Sequence, residues 1–390
     1  MKNRLLYDIN KASDFEAEKL NNFLTNVQAR RHDTNLAGRP STETAAEIKK
    51  NLYHSFFVSK NYGGYNRSVR EFADFIISTS RVCPSTAWLC SVYNINLWSA
   101  FRFKNFIGLF ENVNFQLPLV AGILAPNGSL AQKNGEFSIQ GTWWWASGVD
   151  HSDYILLGGK QSEDPTRQVG LFKLDTYQIF EAWDCMGLKG TGSHAISFNA
   201  ASVPCEDIMS LQDYYQGAYA QHLNEENYHW QKIPWIPLTY LSFCLVGFGA
   251  VKAAFELYHN RPEKLGPGGS EERAMQYRLG NCITRFQVIE DSINAKINQL
   301  DKCLIEGLAL SQDDKLEHRA GYSAIINELA DIVSQLLYLS GASNLSEKSM
   351  IQRFFRDVHV IRGHQAFNLD QPFEAAARRL MGRDITKVQL

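Results

Sequence analysis

Three segments of the sequence bring together residue types that could hold a cofactor or move a proton. The first is Gly141-Thr-Trp-Trp-Trp-Ala-Ser147-Gly148. Alternation along a strand sets Trp143 and Trp145 on one face and Trp144 on the other. Such a run fills a sheet core, or it offers a planar ligand an aromatic edge with the Ser147 hydroxyl in reach of a heteroaromatic nitrogen. The second is Gly187-Leu-Lys-Gly190-Thr191-Gly192-Ser193-His194, ahead of a predicted strand. It reads as a tight turn or as a loop that lets a ligand approach the backbone. The third is Arg356-Asp357 with His364. On a wheel of ~100° per residue with Met350 at 0°, Phe354, Val358 and Ile361 fall within about 80°, Asp357 at about −20° and His364 at about −40°. A carboxylate and an imidazole on a buried face are costly unless paired or used, so they are satisfied internally or border a cavity.

Other local signatures are missing. The ten histidines lack HxxxH or HExxH spacing, and no cysteine pair stands near them, which argues against a zinc site. Neither GxxxxGK[ST] nor GxSxG occurs, and Gly266-Pro-Gly-Gly-Ser270 follows no strand.

The elements that must position these segments change character along the chain. Up to about residue 112 the periodicity is helical, with Phe72, Phe75 and Ile76 on one face and a second helix opening at Pro84 and running through Trp88, Val92, Ile95 and Trp98. From about 115 to 210, short runs rich in aromatic and β-branched residues alternate with turn signals at Asn127-Gly128, Asn134-Gly135 and Asp164-Pro165. After a polar, aromatic connection (211–235) come four long helices: 236–259, about 272–306, about 316–339 and 346–367. Cys282, Phe286, Ile289, Ile293, Ile297, Leu300 and Leu304 form an unbroken stripe, and Tyr322, Ile325, Leu329, Val333 and Leu336 a second. The expected division is 1–114 helical, 115–210 β, and 211–390 linker and four-helix bundle.

With 39 basic and 41 acidic residues the formal charge is −2, which disfavours nucleic acid and anionic membrane as partners. Seven scattered cysteines without a CxxC pair fit buried thiols in a reducing cytoplasm. The N-terminal stretch lacks an apolar secretion core. The most apolar run, 236–251, is shorter than the ~20 residues needed to cross a bilayer, so a core helix is expected there and no membrane partner. Aromatics are 12% of the chain, enough for a flat pocket as well as cores.

Further residues carry a family resemblance: Phe57-Val-Ser-Lys-Asn-Tyr-Gly63-Gly64, Ser85-Thr-Ala-Trp88, Ala125 to Ala131, Gly141 to Gly148, Trp183 to Ser193, Gly341-Ala342, and Arg356-Asp357 to His364. In this order and spacing, over about residues 35–384, the chain resembles the acyl-CoA dehydrogenase superfamily. The branch it is most similar to comprises the oxygenase components of two-component (group D) flavin-dependent monooxygenases. The resemblance implies an α+β fold: a helical N-terminal domain, a central β-barrel or sheet domain and a C-terminal four-helix bundle, assembled as a homotetramer. It implies reduced FMN or FADH2 delivered by a separate flavin reductase, O2 as co-substrate, and a flavin C4a-hydroperoxide that hydroxylates a small aromatic such as a phenol or indole.

On that pattern the flavin contacts are Trp145, Ser147, Trp183, Thr191, Gly192, Ser193 and Arg356. Ser147 lies by N5, Trp183 flanks the ring, and His364 stabilises the peroxide or acts as a base. Many relatives carry a histidine where this chain has Tyr93-Asn94-Ile95-Asn96, so Asn96 stands in the catalytic set as a hydrogen-bonding group that cannot take a proton. Ser59 replaces the usual proline before Lys60, a change expected to affect only a loop. N- or S-oxygenation on the same branch is the alternative, and a flavin-free binding protein on this fold is a further one. A true acyl-CoA dehydrogenase needs a carboxylate base, whereas Gln365 occupies one of its positions and residues 231–251 contain no Asp or Glu.

Overall fold

The computed structural model describes residues 14–111, 116–133, 135–161, 166–173, 177–217, 228–259 and 270–385. Asn134, Asp164-Pro165 and part of the 211–235 connection lie outside them. The chain opens with helices α1 (Asp14–Ala37), α2 (Thr42–Lys50), α3 (Val69–Val82), α4 (Pro84–Ala100) and α5 (Lys104–Gly108). Ser68 and Glu71 form a capping box that starts α3, and Phe72, Phe75 and Ile76 are buried on one side of it. Pro84 opens α4, where its missing N–H has no helical partner to lose. All 17 residues of α4 are buried, so this helix is a central rod that every other layer covers.

A seven-stranded sheet follows: β1 (Val120–Lys133), β2 (Glu136–Ala146), β3 (Tyr154–Gln161), β4 (Arg167–Lys173), β5 (Gln178–Phe180), β6 (His194–Pro204) and β7 (Ile208–Ser210). Their order is β5-β6-β2-β1-β3-β4-β7, with β1 parallel to β3 and the other pairs antiparallel. Two expectations fail here. Asn127-Gly128 does not separate two strands; it lies inside β1 at a shift in register between Ile123 and Gly128. The tryptophan alternation also breaks. Trp143 is fully buried and donates its indole N–H to the Gly158 carbonyl at 2.8 Å, but the β2–β6 register shifts between Trp143 and Ala146. Trp145 there adopts φ +73° and is 65% exposed, as Trp144 is at 49%. A bulge adds a residue to one strand and re-aims the side chain.

Helices α6 (Leu211–Gln216), α7 (Trp235–His259), α8 (Ser270–Glu306), α9 (Gln312–Leu339), α10 (Met350–Arg362) and α11 (Asp370–Leu380) complete the chain. α7 to α10 pack together, and every residue of the two predicted stripes on α8 and α9 is buried. α7 is long and apolar enough to cross a membrane by composition, but 89% of its most apolar window is buried by protein, as expected of a core helix. The last bundle helix stops at Arg362, with Gly363 as its cap, instead of running to Phe367. The helical wheel therefore does not extend to His364, which lies in extended backbone at the head of a short turn, Gln365–Phe367. Together these layers form the acyl-CoA dehydrogenase-like fold.

Candidate active site

α4 and α7 pack so that Trp88 lies beside Phe243, the Ser91 hydroxyl donates to the Ser242 carbonyl, and the Trp235 indole N–H donates to Ser99 Oγ. Beyond the first turn of α4, the remaining accessibility concentrates on Trp88, Val92 and Asn96, at 6%, 9% and 8%. Four-residue spacing puts these three on one stripe, the side of the buried rod that keeps a little accessible surface. Asn96 meets β1 where Gly122 offers no side chain: a Cβ there would stand 2.8 Å from the Asn96 Oδ1. The neighbouring Asn94 is structural; its amide donates to the Tyr53 and Cys90 carbonyls and accepts from the Phe56 N–H.

The Trp88 indole stacks on Phe243 with centroids 4.3 Å apart and an interplanar angle of 19°. The His364 ring meets both edge-on, at 5.6 Å from Trp88 and 5.3 Å from Phe243. His364 keeps exposed surface while its ring packs on the two aromatic side chains. Desolvation alone pushes its pKa down to about 4, so it is neutral near pH 7. The Ala366 N–H donates to His364 Nδ1 at 3.1 Å. A backbone N–H can only donate, so Nδ1 carries the lone pair and Nε2 carries the hydrogen. The neutral imidazole therefore presents a donor.

The first and second sequence segments meet through hydroxyl groups. Trp88 Nε1 donates to Ser147 Oγ at 3.0 Å; Ser147 and Ser193 hydroxyls are 2.7 Å apart, as are those of Ser193 and Thr191. Thr191 donates to the Leu188 carbonyl at 2.8 Å, which also accepts from Trp183 Nε1 at 3.0 Å. Gly192 has φ +53°, and a Cβ on it would stand 2.7 Å from Asp150 Oδ2, so only glycine fits this turn.

α10 clamps the same loop from the other side. Asp357 accepts the Leu188 N–H at 2.6 Å, and burial raises its carboxyl pKa to about 6. Arg356 donates to the Met186 carbonyl at 3.0 Å and to Gln352 at 3.1 Å. Its guanidinium thus holds the loop's main chain.

Of the residues singled out in the sequence, Ser147, Thr191, Ser193 and Trp183 fall on one hydrogen-bonded path, and His364 joins it through Trp88. Gly192 is the turn between them, while Arg356 acts on the loop from outside. Trp145 stands two residues from Ser147 on the exposed bulge, and Asn96 lies two turns along α4 from Trp88. Trp88 and Phe243 themselves read as helix core. Their partners are 59 residues away for Trp88 and on another helix for Phe243, so no local pattern could reveal them.

This surface suits a flat ligand with one polar edge. Trp145 and Met186 are exposed apolar side chains on the two segments, and Ser147, at 9% exposure, is the hydroxyl of the three that keeps some accessible surface. An isoalloxazine ring has those two characters.

The family described as acyl-CoA dehydrogenase, C-terminal domain, matches residues 241–369. Over 380 residues the chain is 23% identical to the flavin-dependent monooxygenase, oxygenase subunit HsaA, of Rhodococcus jostii, covering 95% of this chain and 99% of that protein. These likenesses, which run over nearly the whole chain, are to proteins of the acyl-CoA dehydrogenase fold. The chain is also 22% identical over 385 residues to the oxygenase component of p-hydroxyphenylacetate 3-hydroxylase from Acinetobacter baumannii, covering 94% of this chain and 89% of that one. The crystal structure of 3-HSA hydroxylase from Rhodococcus sp. RHA1 superposes with a TM-score of 0.88 at 20% identity, covering 96% and 98% of the two chains. The superfamily's dehydrogenases need a carboxylate beside the flavin; here the residue after His364 is the exposed Gln365.

Proposed function

We propose that the protein is the oxygenase component of a two-component flavin-dependent monooxygenase. It takes reduced FMN or FADH2 from a separate reductase and hydroxylates an aromatic or heteroaromatic small molecule. The observation that carries this reading is the cluster around Trp88: the Ser147 hydroxyl that accepts from its indole, the Phe243 ring stacked on it and the His364 ring edge-on to both. Reduced flavin, when bound, supplies with O2 an electrophilic oxygen atom. Trp145, Trp183 and the Thr191–Ser193 turn would hold the ring, and Ser147 would contact its N5 edge. Trp88, Val92 and Phe243 exclude water and offer a planar substrate apolar faces. His364 points a donor at oxygen that gains negative charge as it is transferred. Asn96 anchors a polar substituent of the substrate.

A specific feature bears on the substrate. No Asp or Glu occurs in residues 84–100, 119–128, 141–149, 186–193, 235–251 or 363–369, and the two carboxylates beside the 187–193 loop, Asp150 and Asp357, face Gly192 and the Leu188 N–H. With His364 fixed as a donor and Asn96 unable to take a proton, neither of these two residues can ionise a phenol. A substrate that is nucleophilic while neutral, such as an indole-type carbon, fits better. A ring nitrogen or sulfur meets the same requirement, so N- or S-oxygenation is the second reading.

The finer features of the reading are a homotetramer, a cytoplasmic location and a three-part division near residues 114 and 210. Large apolar side chains left exposed on α8, Tyr277 at 77% and Val288 at 65%, support association. The seven cysteines are all free, which suits a reducing compartment. Light scattering on the purified protein tests the assembly. For the activity, chemically reduced flavin, O2 and a panel of indoles, phenols and thiophenes should yield an oxygenated product. Dye-linked oxidation of acyl-CoA thioesters with no oxygenated product would overturn the proposal.

A further inference from the structure

Arg319, on α9, is a buried cation without a counter-charge. Arg30, Arg285 and Arg379 each pair with a carboxylate, from Glu47, Glu328 and Asp313. Arg102, at 2% exposure, lies over the rings of Trp98 and Tyr214 at 4.4 and 5.1 Å, whose faces offset its charge. Arg319 has neither device among the described residues. It is 8% exposed, and its Nε and Nη1 have no hydrogen-bond partner. Its one bond runs from Nη2 to Oε1 of Gln371, an exposed side chain, at 3.2 Å. Ser323 stands one turn further along the same helix face. It is fully buried and its hydroxyl also lacks a partner, whereas Ser334 on the same helix donates back to the Ala330 carbonyl at 2.7 Å. A guanidinium taken out of water without an anion carries a large desolvation cost, and its unmet N–H groups are the donors that grip a carboxylate.

This cluster adjoins the aromatic site. Tyr240 and Phe243 are three residues apart on α7 and share a face. Phe243 lies 5.3 Å from the His364 ring and Tyr240 lies 6.0 Å from Phe367, while the Phe367 N–H donates to the His364 carbonyl at 2.9 Å. The two α7 rings thus flank the two ends of one short turn, against which α9 also packs. Arg319 is the charged neighbour of the Tyr240 phenol, where it opposes the rise in pKa that burial causes. Residues 235–251 and 363–369 contain no Asp or Glu to repel an anion or neutralise the guanidinium, and Asp370, beside Gln371, is exposed.

We infer that Arg319, with Ser323 beside it, is a specificity-determining anion site that holds a carboxylate arm of the substrate, so that the preferred substrate is an aromatic or heteroaromatic carboxylic acid. The inference rests on the monooxygenase reading above and narrows its substrate class. The arm carries the negative charge while the ring that accepts oxygen stays neutral, as suits a site in which neither His364 nor Asn96 is a base. Binding exchanges one bond to an exposed glutamine for charge-assisted bonds to nitrogens that otherwise have none.

The test measures kcat and KM with chemically reduced flavin and O2 for indole, phenol and thiophene, for their carboxylic acids on arms of increasing length, and for the methyl ester of each acid. In the parent protein one acid should show a KM roughly ten- to a hundredfold below that of its ester, the worth of a hydrogen bond to a charged group. Arg319→Leu should raise KM for that acid by about the same factor with little change in kcat, and should leave the ester and the unsubstituted ring as they were. Arg319→Lys, which keeps the charge but not the fork, should recover part of the loss. The comparison of acid with ester in the parent protein needs no variant to fold. Equal KM for every acid and its ester would overturn the inference. So would an Arg319→Leu variant that weakens acid and ester alike or changes the assembly seen by light scattering, since the arginine would then serve the protein's own packing. If none of these compounds is oxygenated, the monooxygenase reading fails and the inference falls with it.

Discussion

Replacing His364 with Phe keeps an aromatic ring against Trp88 and Phe243 while deleting the Nε2–H donor. The edge contacts at 5.6 and 5.3 Å need a ring and not a nitrogen, so the fold should persist. The loss should therefore fall on chemistry. Deleting one preorganised donor lowers a rate by about 10²- to 10³-fold. With the imidazole pKa near 4, only about one molecule in a thousand is charged at pH 7. The donor is thus a neutral N–H throughout the physiological range, and the parent rate should be flat with pH from about 6 upward. Single-turnover mixing of reduced enzyme with O2 and an indole, with product and hydrogen peroxide quantified, reads both effects. His364→Phe should divert most turnovers to hydrogen peroxide, and His364→Gln, which has an amide donor, should recover part of the yield. A parent rate that rises with pH through an apparent pKa near 6.5 would refute the reasoning, because it would make His364 a base.

Three further expectations follow from the same geometry. Asp357→Ala leaves the Leu188 N–H without its acceptor and should cost about 1 to 3 kcal/mol in urea unfolding, whereas Asp357→Asn, which can still accept, should cost less; equal values for the two variants would contradict the clamp. Burial holds the imidazoles of His54 and His318 at about 4 and about 3, below their ordinary 6.5. Because the unfolded chain binds those protons more readily, their contribution is complete above pH 6.5 and is lost as pH falls toward 4. His318→Gln should therefore flatten the acid limb of the stability curve, and an unchanged limb would place the cause elsewhere. Gly122→Ala must push back the Asn96 amide, which lies 2.8 Å from the new Cβ. It should raise KM for the substrate with little change in melting temperature, and an unaltered KM would remove Asn96 from the site.

The regular parts of this fold were legible because burial imposes a period on sequence. The stripe from Cys282 to Leu304 and the face of Phe72, Phe75 and Ile76 each repeat at the helical spacing, and both are buried. Irregular backbone carries no such mark. The bulge that turns Trp145 outward depends on how β2 is registered against β6, and a strand's own residues do not record their partner's register. The end of α10 leaves no clear mark for a related reason: Gly363 stops the helix, but isolated glycines also occur within helices, as Gly247, Gly249 and Gly280 do here. The site residues were found through family resemblance more than through spacing. Their chemistry was visible only in three dimensions, since the role of His364 turns on the Ala366 N–H and that of Ser147 on Trp88 and Ser193.

The central claim is that this site delivers one atom of dioxygen to a neutral aromatic or heteroaromatic ring. The protein is charged anaerobically with reduced flavin and indole, isotopically labelled dioxygen is admitted, and the product is weighed by mass spectrometry. The account predicts one labelled oxygen atom per product molecule, with the yield collapsing in His364→Phe while flavin binding persists. Product oxygen drawn from water, or labelled hydrogen peroxide as the sole product with every indole, phenol and thiophene offered, would contradict it.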